Sequence, residues 1–366
     1  MPSSQPSPIP PSYPGGPQKY CYDNPSNPTC AASVPGTYHY DPSPAANIFF
    51  AALFSACLLA LALIWAVAAF RNRRGRHHGS TGTAAFNVAL ALGLACEILG
   101  YAGRLMGVRN RWDANGFLMQ ICCLTVGPAF MAAAVYLCLR RVVAVFGEQR
   151  SRIPAKWYTR IFIPCDVVSL ILQAGGGAIA SIASDAQRNP SSSSSPPAIT
   201  VDQGTHIMVA GLAFQVATVT GFILAAADFA LRCYRHHRTS GTLSTSSPSS
   251  STADEEELIA MRSSCRFHAF LAALALAALC ILVRSAFRVA ELSRGWDGPV
   301  MAREDLFIAF EGVLIAVAVL ALVIFHPAFC GPALFAGVKN KEKSAAAKSF
   351  REIDTSYSSI SQNDAA

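Results

Sequence analysis

NIFFAALFSACLLALALIWAVAAF, residues 47–70, runs for 24 residues without a charge and is followed at once by RNRRGR, residues 71–76. A helix rising about 1.5 Å per residue needs roughly 20 apolar residues to cross a bilayer's hydrocarbon core. The stretch is therefore a membrane span, and the arginines behind it mark the side on which it stops. Working outward, six more tracts of similar length follow: Ala84 to Met106, Phe117 to Leu139, Ile161 to Ser184, Ile207 to Leu231, Phe267 to Phe287 and Leu306 to Phe325. They are rich in Ala, Leu, Gly and Val without period-two alternation, so helices rather than barrel strands must satisfy the backbone in lipid. The fold class is all-α, a polytopic protein of seven transmembrane helices. Of 366 residues 52% are apolar and only 14% charged, where soluble domains carry about a quarter charged residues.

Orientation follows from lysine and arginine in the loops, because positive segments are retained in the cytoplasm. Twenty fall after spans one, three, five and seven, against six on the other side. The amino terminus is expected outside and the carboxyl terminus inside. Residues 1–46 form an outer Pro-rich tail, 47–326 the membrane domain and 327–366 an inner, largely disordered tail. No apolar run in the first 46 residues resembles a cleaved signal peptide, so the first span is expected to act as an uncleaved anchor. Cys21 and Cys30 lie in the outer tail, where an oxidising compartment would let them pair; two free thiols are the alternative. The other ten cysteines read as small apolar residues, with palmitoylation of Cys233 or Cys330 a less favoured reading. The Ser-rich stretches 191–195 and 239–252 read as solvated linkers. The net charge of +7 is accounted for by topology and by anionic inner-leaflet lipids at the basic loops, and nucleic acid is not implied.

Function is sought among ionisable groups inside the spans, each costing roughly 2.5–3.5 kcal/mol on insertion scales. In span two, Glu97, Tyr101 and Arg104 recur at i, i+4 and i+7, on one face. Gly93, Gly100 and Gly107 recur every seven residues and would admit a close helix neighbour. In span six, Arg284, Arg288 and Glu291 repeat that spacing with charges exchanged, and Glu311 of span seven lies at a depth where Arg284 can reach it. Two readings fit: a polar cavity in the outer half formed by Glu97, Arg104, Arg284, Arg288, Glu291 and Glu311, or interhelical salt bridges that only fix packing. Span three adds Gln120 and the kink-forming Pro128, span four Asp166 and Gln173, span five Gln215 and Asp228. Asp166 and Asp228 are expected to pair with Arg140 or Arg141, and Asp166 and Glu311 are candidates for a proton relay.

These motifs, in this order, resemble the fungal lipid-translocating exporter family, the aminocholesterol-resistance-like or RTA-like proteins. The resemblance covers Tyr38 to Pro327. It is carried by Tyr40-Asp41-Pro42-Ser43, by Glu97 through Arg104, by Pro128 with Tyr136, and by Asp166 with Gln173, Gly175 and Gly176. Gly211 with Gln215, Arg284 through Glu291, Glu304, Glu311 and His326-Pro327 complete it. Two positions depart from the pattern: Ile308 stands where Tyr is frequent and Glu311 where Asp is common. The resemblance implies a plasma-membrane exporter or flippase-like protein for sphingoid long-chain bases and related lipophilic amines, conferring resistance to toxic lipids. A cationic head and an apolar chain would suit acids such as Glu97, Glu291 and Glu311.

The rival is a seven-helix lipid sensor without transport activity. Ordinary G-protein coupling is disfavoured by Leu139-Arg140-Arg141 at the inner end of span three. No lysine lies between Lys156 and Lys339, which excludes a retinal Schiff base. No histidine pair has ligand spacing within a helix and no phosphate-binding loop is present, so no enzyme activity, metal or other cofactor is expected. The oligomeric state is left open.

Overall fold

The structure is a computed structural model that describes residues 9–10, 13, 16–34, 36–38, 40–73, 83–146, 151–188, 200–240, 264–294, 298 and 300–330. Every regular element among them is a helix. Two short helices, α1 (Gly16–Asp23) and α2 (Pro28–Ser33), precede α3 (Pro44–Arg73), α4 (Ala84–Arg109), α5 (Ala114–Phe146), α6 (Ala155–Arg188), α7 (Val201–Ser240) and α8 (Cys265–Leu292). The last span is composite: α9 (Glu304–Phe307), a π-helical turn (Ile308–Val313) and α10 (Leu314–Ile324), followed by α11 (Pro327–Cys330). Seven helices are long and apolar enough to cross a membrane. The chain is an integral membrane protein.

All seven helical runs contain the tracts read from sequence, and most extend past them. Hydropathy falls at the water interface, but nothing in Arg140, Arg141 or Val142 interrupts the i to i−4 ladder, so α5 continues to Phe146. Low hydropathy marks the edge of lipid, not the end of a helix. The basic runs at 74–82, the two Ser-rich stretches from 241 and 191 onward, and the tail from 331 lie outside the described residues.

Neighbours in sequence are neighbours in space: α3 packs on α4, α4 on α5, α5 on α6, α6 on α7, α7 on α8, and α8 on α10, which returns to α3. Within this ring α5 also meets α7 and α8. Its apolar window is 61% buried against 22% for that of α3, so α5 is the interior helix and α3 a peripheral one. Ile48, Leu59, Leu63, Ile171, Ile182, Leu224 and Ile324 are exposed, as lipid-facing side chains should be. At one end of the bundle, His326 accepts from the Ala328 N–H at Nδ1 (3.1 Å), so its proton sits on Nε2 and is donated to Asn87 Oδ1 (2.7 Å). That bond ties α11 to the start of α4.

The glycine heptad of α4 works unevenly. A side chain at Gly100 would put Cβ 2.5 Å from Leu124 Cδ2 on α5. At Gly107 the nearest neighbour is instead the ring of Tyr38, which lies on it. Gly175 of α6 has open space around its Cβ position. Gly100→Val is expected to destabilise the bundle by about 1–3 kcal/mol through overpacking, whereas Gly175→Ala stabilises it by about 0.5–1 kcal/mol. Thermal unfolding in detergent checks both signs.

The N-terminal segment is folded in part. Asn27 caps α2 by accepting from the Thr29 N–H (3.0 Å), and Pro28 occupies the first helical position. Cys21 and Cys30 are joined by a disulfide, and with Val34 they pack on Trp112 of the α4–α5 turn. Thr37 N–H donates to the Arg111 carbonyl (2.8 Å), so the segment sits on one end of the bundle, here called the N-terminal face. Replacing both cysteines by serine is expected to raise hydrogen exchange over 16–34 while α4 and α5 stay protected. The bridge closes only a short local loop.

Candidate functional site

Helical spacing puts Glu97, Tyr101 and Arg104 on the face of α4 that turns inward, and all three are buried. At mid-depth Glu97 is 0%, Arg284 1% and Glu311 0% exposed. Arg284 donates to Glu311 Oε1 and forms with it a buried ion pair between α8 and the π turn. Glu97 is close enough to feel both charges. Neither of its carboxylate oxygens has a hydrogen-bond partner among the described residues. A side chain at Gly127 of α5 would place Cβ 2.8 Å from Glu97 Oε1, so that glycine makes the room in which the carboxylate lies. Tyr101 closes the group on the α3 side, its ring stacked on Phe50 at 5.3 Å.

A proline determines what else Arg284 does. Pro128 has no N–H to offer the carbonyl four residues earlier, which is that of Leu124. The Arg284 guanidinium donates to this orphaned oxygen. The arginine thus joins α5, α8 and the last span at one point. In that span the turn Ile308–Val313 is π-helical, with Leu314 N–H donating to the Ala309 carbonyl five residues back. The extra residue of such a turn shifts Glu311 around the axis, and π turns recur at functional sites. Gly312 accommodates the Phe50 ring beside it, where a Cβ would lie 2.5 Å from the ring.

One turn further along α8, Arg288 pairs with Glu291, both near 4% exposed, and both lie within electrostatic reach of Glu311. The mid-depth group therefore holds three carboxyl groups, Glu97, Glu291 and Glu311, against two guanidinium groups, Arg284 and Arg288. With all ionised, it lacks one positive charge.

Arg104 stands apart, at the N-terminal face. It donates through Nε to Asn47 Oδ1 (2.7 Å), through one terminal nitrogen to the Tyr40 hydroxyl (3.1 Å), and through the other to Glu304 (3.3 Å). Its guanidinium also lies 3.9 Å from the centre of the Phe307 ring. Glu304 accepts in turn from the Ser43 N–H (2.6 Å). Arg104 thereby fastens the chain before α3 and the start of the last span. Gln120 belongs to the same layer and accepts from the Tyr38 hydroxyl (2.6 Å). Burial pushes the Tyr38 and Tyr40 hydroxyls up from their ordinary pKa, with the Arg104 charge pulling the other way. Both stay protonated and serve as neutral hydrogen-bonding groups.

The remaining residues gather in a second place. Gln173 donates to Gln215 Oε1 (3.1 Å) between α6 and α7, and Asp166 of α6 faces Tyr136 of α5. The expected pairing of the aspartates with Arg140 or Arg141 is corrected. Asp228 pairs with Arg232 (3.0 Å) and Arg152 (3.5 Å), because its place on α7 lies beside the loop before α6. Asp166 meets a phenol.

The side chains of the charged group are buried, and two cavities lie elsewhere. One is lined by Ala32, Val34, Tyr38, Arg111 and Trp112, the other by Arg152, Ile153, Tyr158, Ala225 and Asp228. Among the described residues no cluster of three His, Cys, Asp or Glu is placed to hold a metal. Sequence reading missed Asn47 as a partner of Arg104, the Leu124 carbonyl and the role of Gly127. Of these only the carbonyl was signalled, by the proline four residues on.

Comparisons with known proteins agree in kind. A family model described as RTA1 like protein matches residues 90–333. The sphingoid long-chain base transporter RSB1 of Saccharomyces cerevisiae is 32% identical over 257 residues, 67% of this chain and 64% of its own. The chain thus spans just under two thirds of the length of that relative. Protein RTA1 of the same yeast is 25% identical over 302 residues, covering 79% of this chain and 84% of its own. Protoporphyrin uptake protein 1, again from that yeast, is 24% identical over 317 residues, covering 78% and 90% respectively. No solved structure matches.

Proposed function

The chain belongs to the RTA1-like protein family, and from that premise we propose that it moves sphingoid long-chain bases and related lipophilic amines across the membrane, with the Glu97–Arg284–Glu311 group receiving the ammonium head. The observation that carries this reading is Glu97: a fully buried carboxyl with no hydrogen-bond partner among the described residues, in a group that, with all its members ionised, is short of one positive charge. An unpaired buried charge is costly, and a primary ammonium supplies three donors and the missing charge. The alkyl chain stays among the lipid-facing helices. Of the cargoes named for the relatives, a long-chain base fits that charge balance, whereas the carboxylates of a porphyrin would add to the surplus of acids.

The positive-inside count supports placing the N-terminal face on the non-cytoplasmic side, with anionic lipids at the opposite basic loops; the plasma membrane is the location proposed from the family resemblance. Removing toxic amines from the inner side would confer resistance to them. No chemistry on the cargo is invoked. Uphill movement draws on an ion gradient or a partner.

The test is purified full-length protein in proteoliposomes with a fluorescent long-chain base. Accelerated transbilayer movement, saturable by unlabelled base, is the expected result. Saturable binding with no acceleration over protein-free vesicles makes the protein a sensor and overturns the proposal.

A further inference from the structure

The half of the bundle away from the N-terminal face holds a second buried acid that the mid-depth group does not use. Asp166 is 4% exposed, and neither of its carboxylate oxygens has a hydrogen-bond partner among the described residues. The Tyr136 hydroxyl lies within hydrogen-bonding reach of it, although neither group closes a bond of strict geometry among the described residues. A buried acid in a transmembrane helix is expensive unless something meets it. Among the described residues its carboxylate forms no hydrogen bond with a guanidinium.

Its surroundings are aromatic. The Tyr136 ring lies 4.4 Å from Phe222 and 5.6 Å from Phe162, and Phe162 meets Phe222 edge-on at 5.4 Å. Phe162 precedes Asp166 by one helical turn on α6 and so shares its face. Tyr158, one turn earlier again, meets Phe222 edge-on at 6.5 Å and also lines the cavity beside Asp228. That cavity adjoins the aromatic cluster through Tyr158, and the Asp228 carboxylate is part of its lining. On the other side, Gln173 Oε1 and Gln215 Nε2 are unsatisfied two turns beyond Asp166.

A carboxylate among aromatic faces is the chemistry that recognises an organic ammonium: the acid supplies the opposite charge, and the rings attract the cation while excluding water. We propose that Asp166, with Tyr136, Phe162 and Phe222, forms a second binding site for the ammonium of a long-chain amine, distinct from Glu97. Tyr136 lies nine residues beyond Gly127, the α5 residue against Glu97, about 14 Å along the helix axis, so one head group cannot occupy both places. The two acids are successive stations for one cargo, one near mid-depth and one towards the opposite face. This rests on the proposed cargo class but not on the role given to Glu97.

The test uses the full chain in nanodiscs with radiolabelled sphinganine, counting equivalents displaced by excess unlabelled amine. Wild type is expected to hold two. Asp166→Asn loses one and keeps the other, Glu97→Gln retains the equivalent that Asp166→Asn loses, and Phe222→Leu weakens that equivalent at least tenfold. In wild-type protein a photoreactive long-chain amine labels the segment 158–166. Undiminished binding in Asp166→Asn, or no label in that segment, overturns the inference. If Glu97→Gln also binds and transports like wild type, the role given to Glu97 falls with it while transport stands; wild-type protein that holds no displaceable amine overturns the proposed cargo as well. If only Glu97→Gln loses binding and transport, the function proposed above stands and the second site alone is rejected.

Discussion

Glu97→Gln is expected to lower the rate of transbilayer movement of a long-chain base at least tenfold while leaving the protein as stable as wild type or more so. The substitution keeps volume and removes only charge. Glu97 is 0% exposed, with both oxygens unpartnered among the described residues and Gly127 lying against one of them. No hydrogen bond among the described residues depends on that charge, and a neutral amide is cheaper to bury than a carboxylate without a hydrogen-bonded partner. A hydrogen bond to a charged group is worth about 1.5–3 kcal/mol, and 1.4 kcal/mol is a factor of ten, which sets the size of the loss. Transport assayed beside thermal unfolding checks the pair of signs. A wild-type rate would remove Glu97 from the function, and a collapse in stability would make it a packing residue.

Arg284→Gln is expected to behave in the opposite way, costing about 3–5 kcal/mol of stability because it strands Glu311 in a dry interior. It also strands the Leu124 carbonyl, whose usual donor Pro128 cannot supply. The second effect is separable. Pro128→Ala restores an N–H at position 128, and in the Arg284→Gln background it should recover about 1 kcal/mol more than it contributes in wild type. A double-mutant cycle by denaturant unfolding in detergent measures that coupling. Additive effects would show that Pro128 and Arg284 do not share the carbonyl, and the account of α5 would fail.

The two experiments divide the charged group into parts with different duties. Arg284 holds α5, α8 and the π turn together, and Glu97 lies beside that junction without helping to build it. A bundle fastened at one point by an arginine, with an unpaired acid next to it, can admit a cation without first breaking its own ion pair.

Much of this was legible before any coordinates. Seven apolar tracts could only become helices, since lipid offers the backbone no partners, and i, i+4, i+7 spacing put Glu97, Tyr101 and Arg104 on one face. The reach from Arg284 to Glu311 also followed from depth alone. What the spacing could not divide was the set of six: it grouped Arg104 with Glu97, whereas Arg104 is held by Tyr40, Asn47 and Glu304 in a layer of its own. Likewise the heptad of glycines promised one helix contact, and Gly107 instead received the Tyr38 ring.

The amino-acid order by itself determined the class, the number of spans and which acids and arginines must be hidden, because those follow from transfer free energies that act on each residue separately. Which acid is paired, which carbonyl an arginine serves, and where the last span widens into a π turn were decided only in the tertiary structure. Those are relations among α4, α5, α8 and the final span, and they depend on the rotation and depth of each helix against its neighbours. Local sequence does not encode those quantities, and packing selects them.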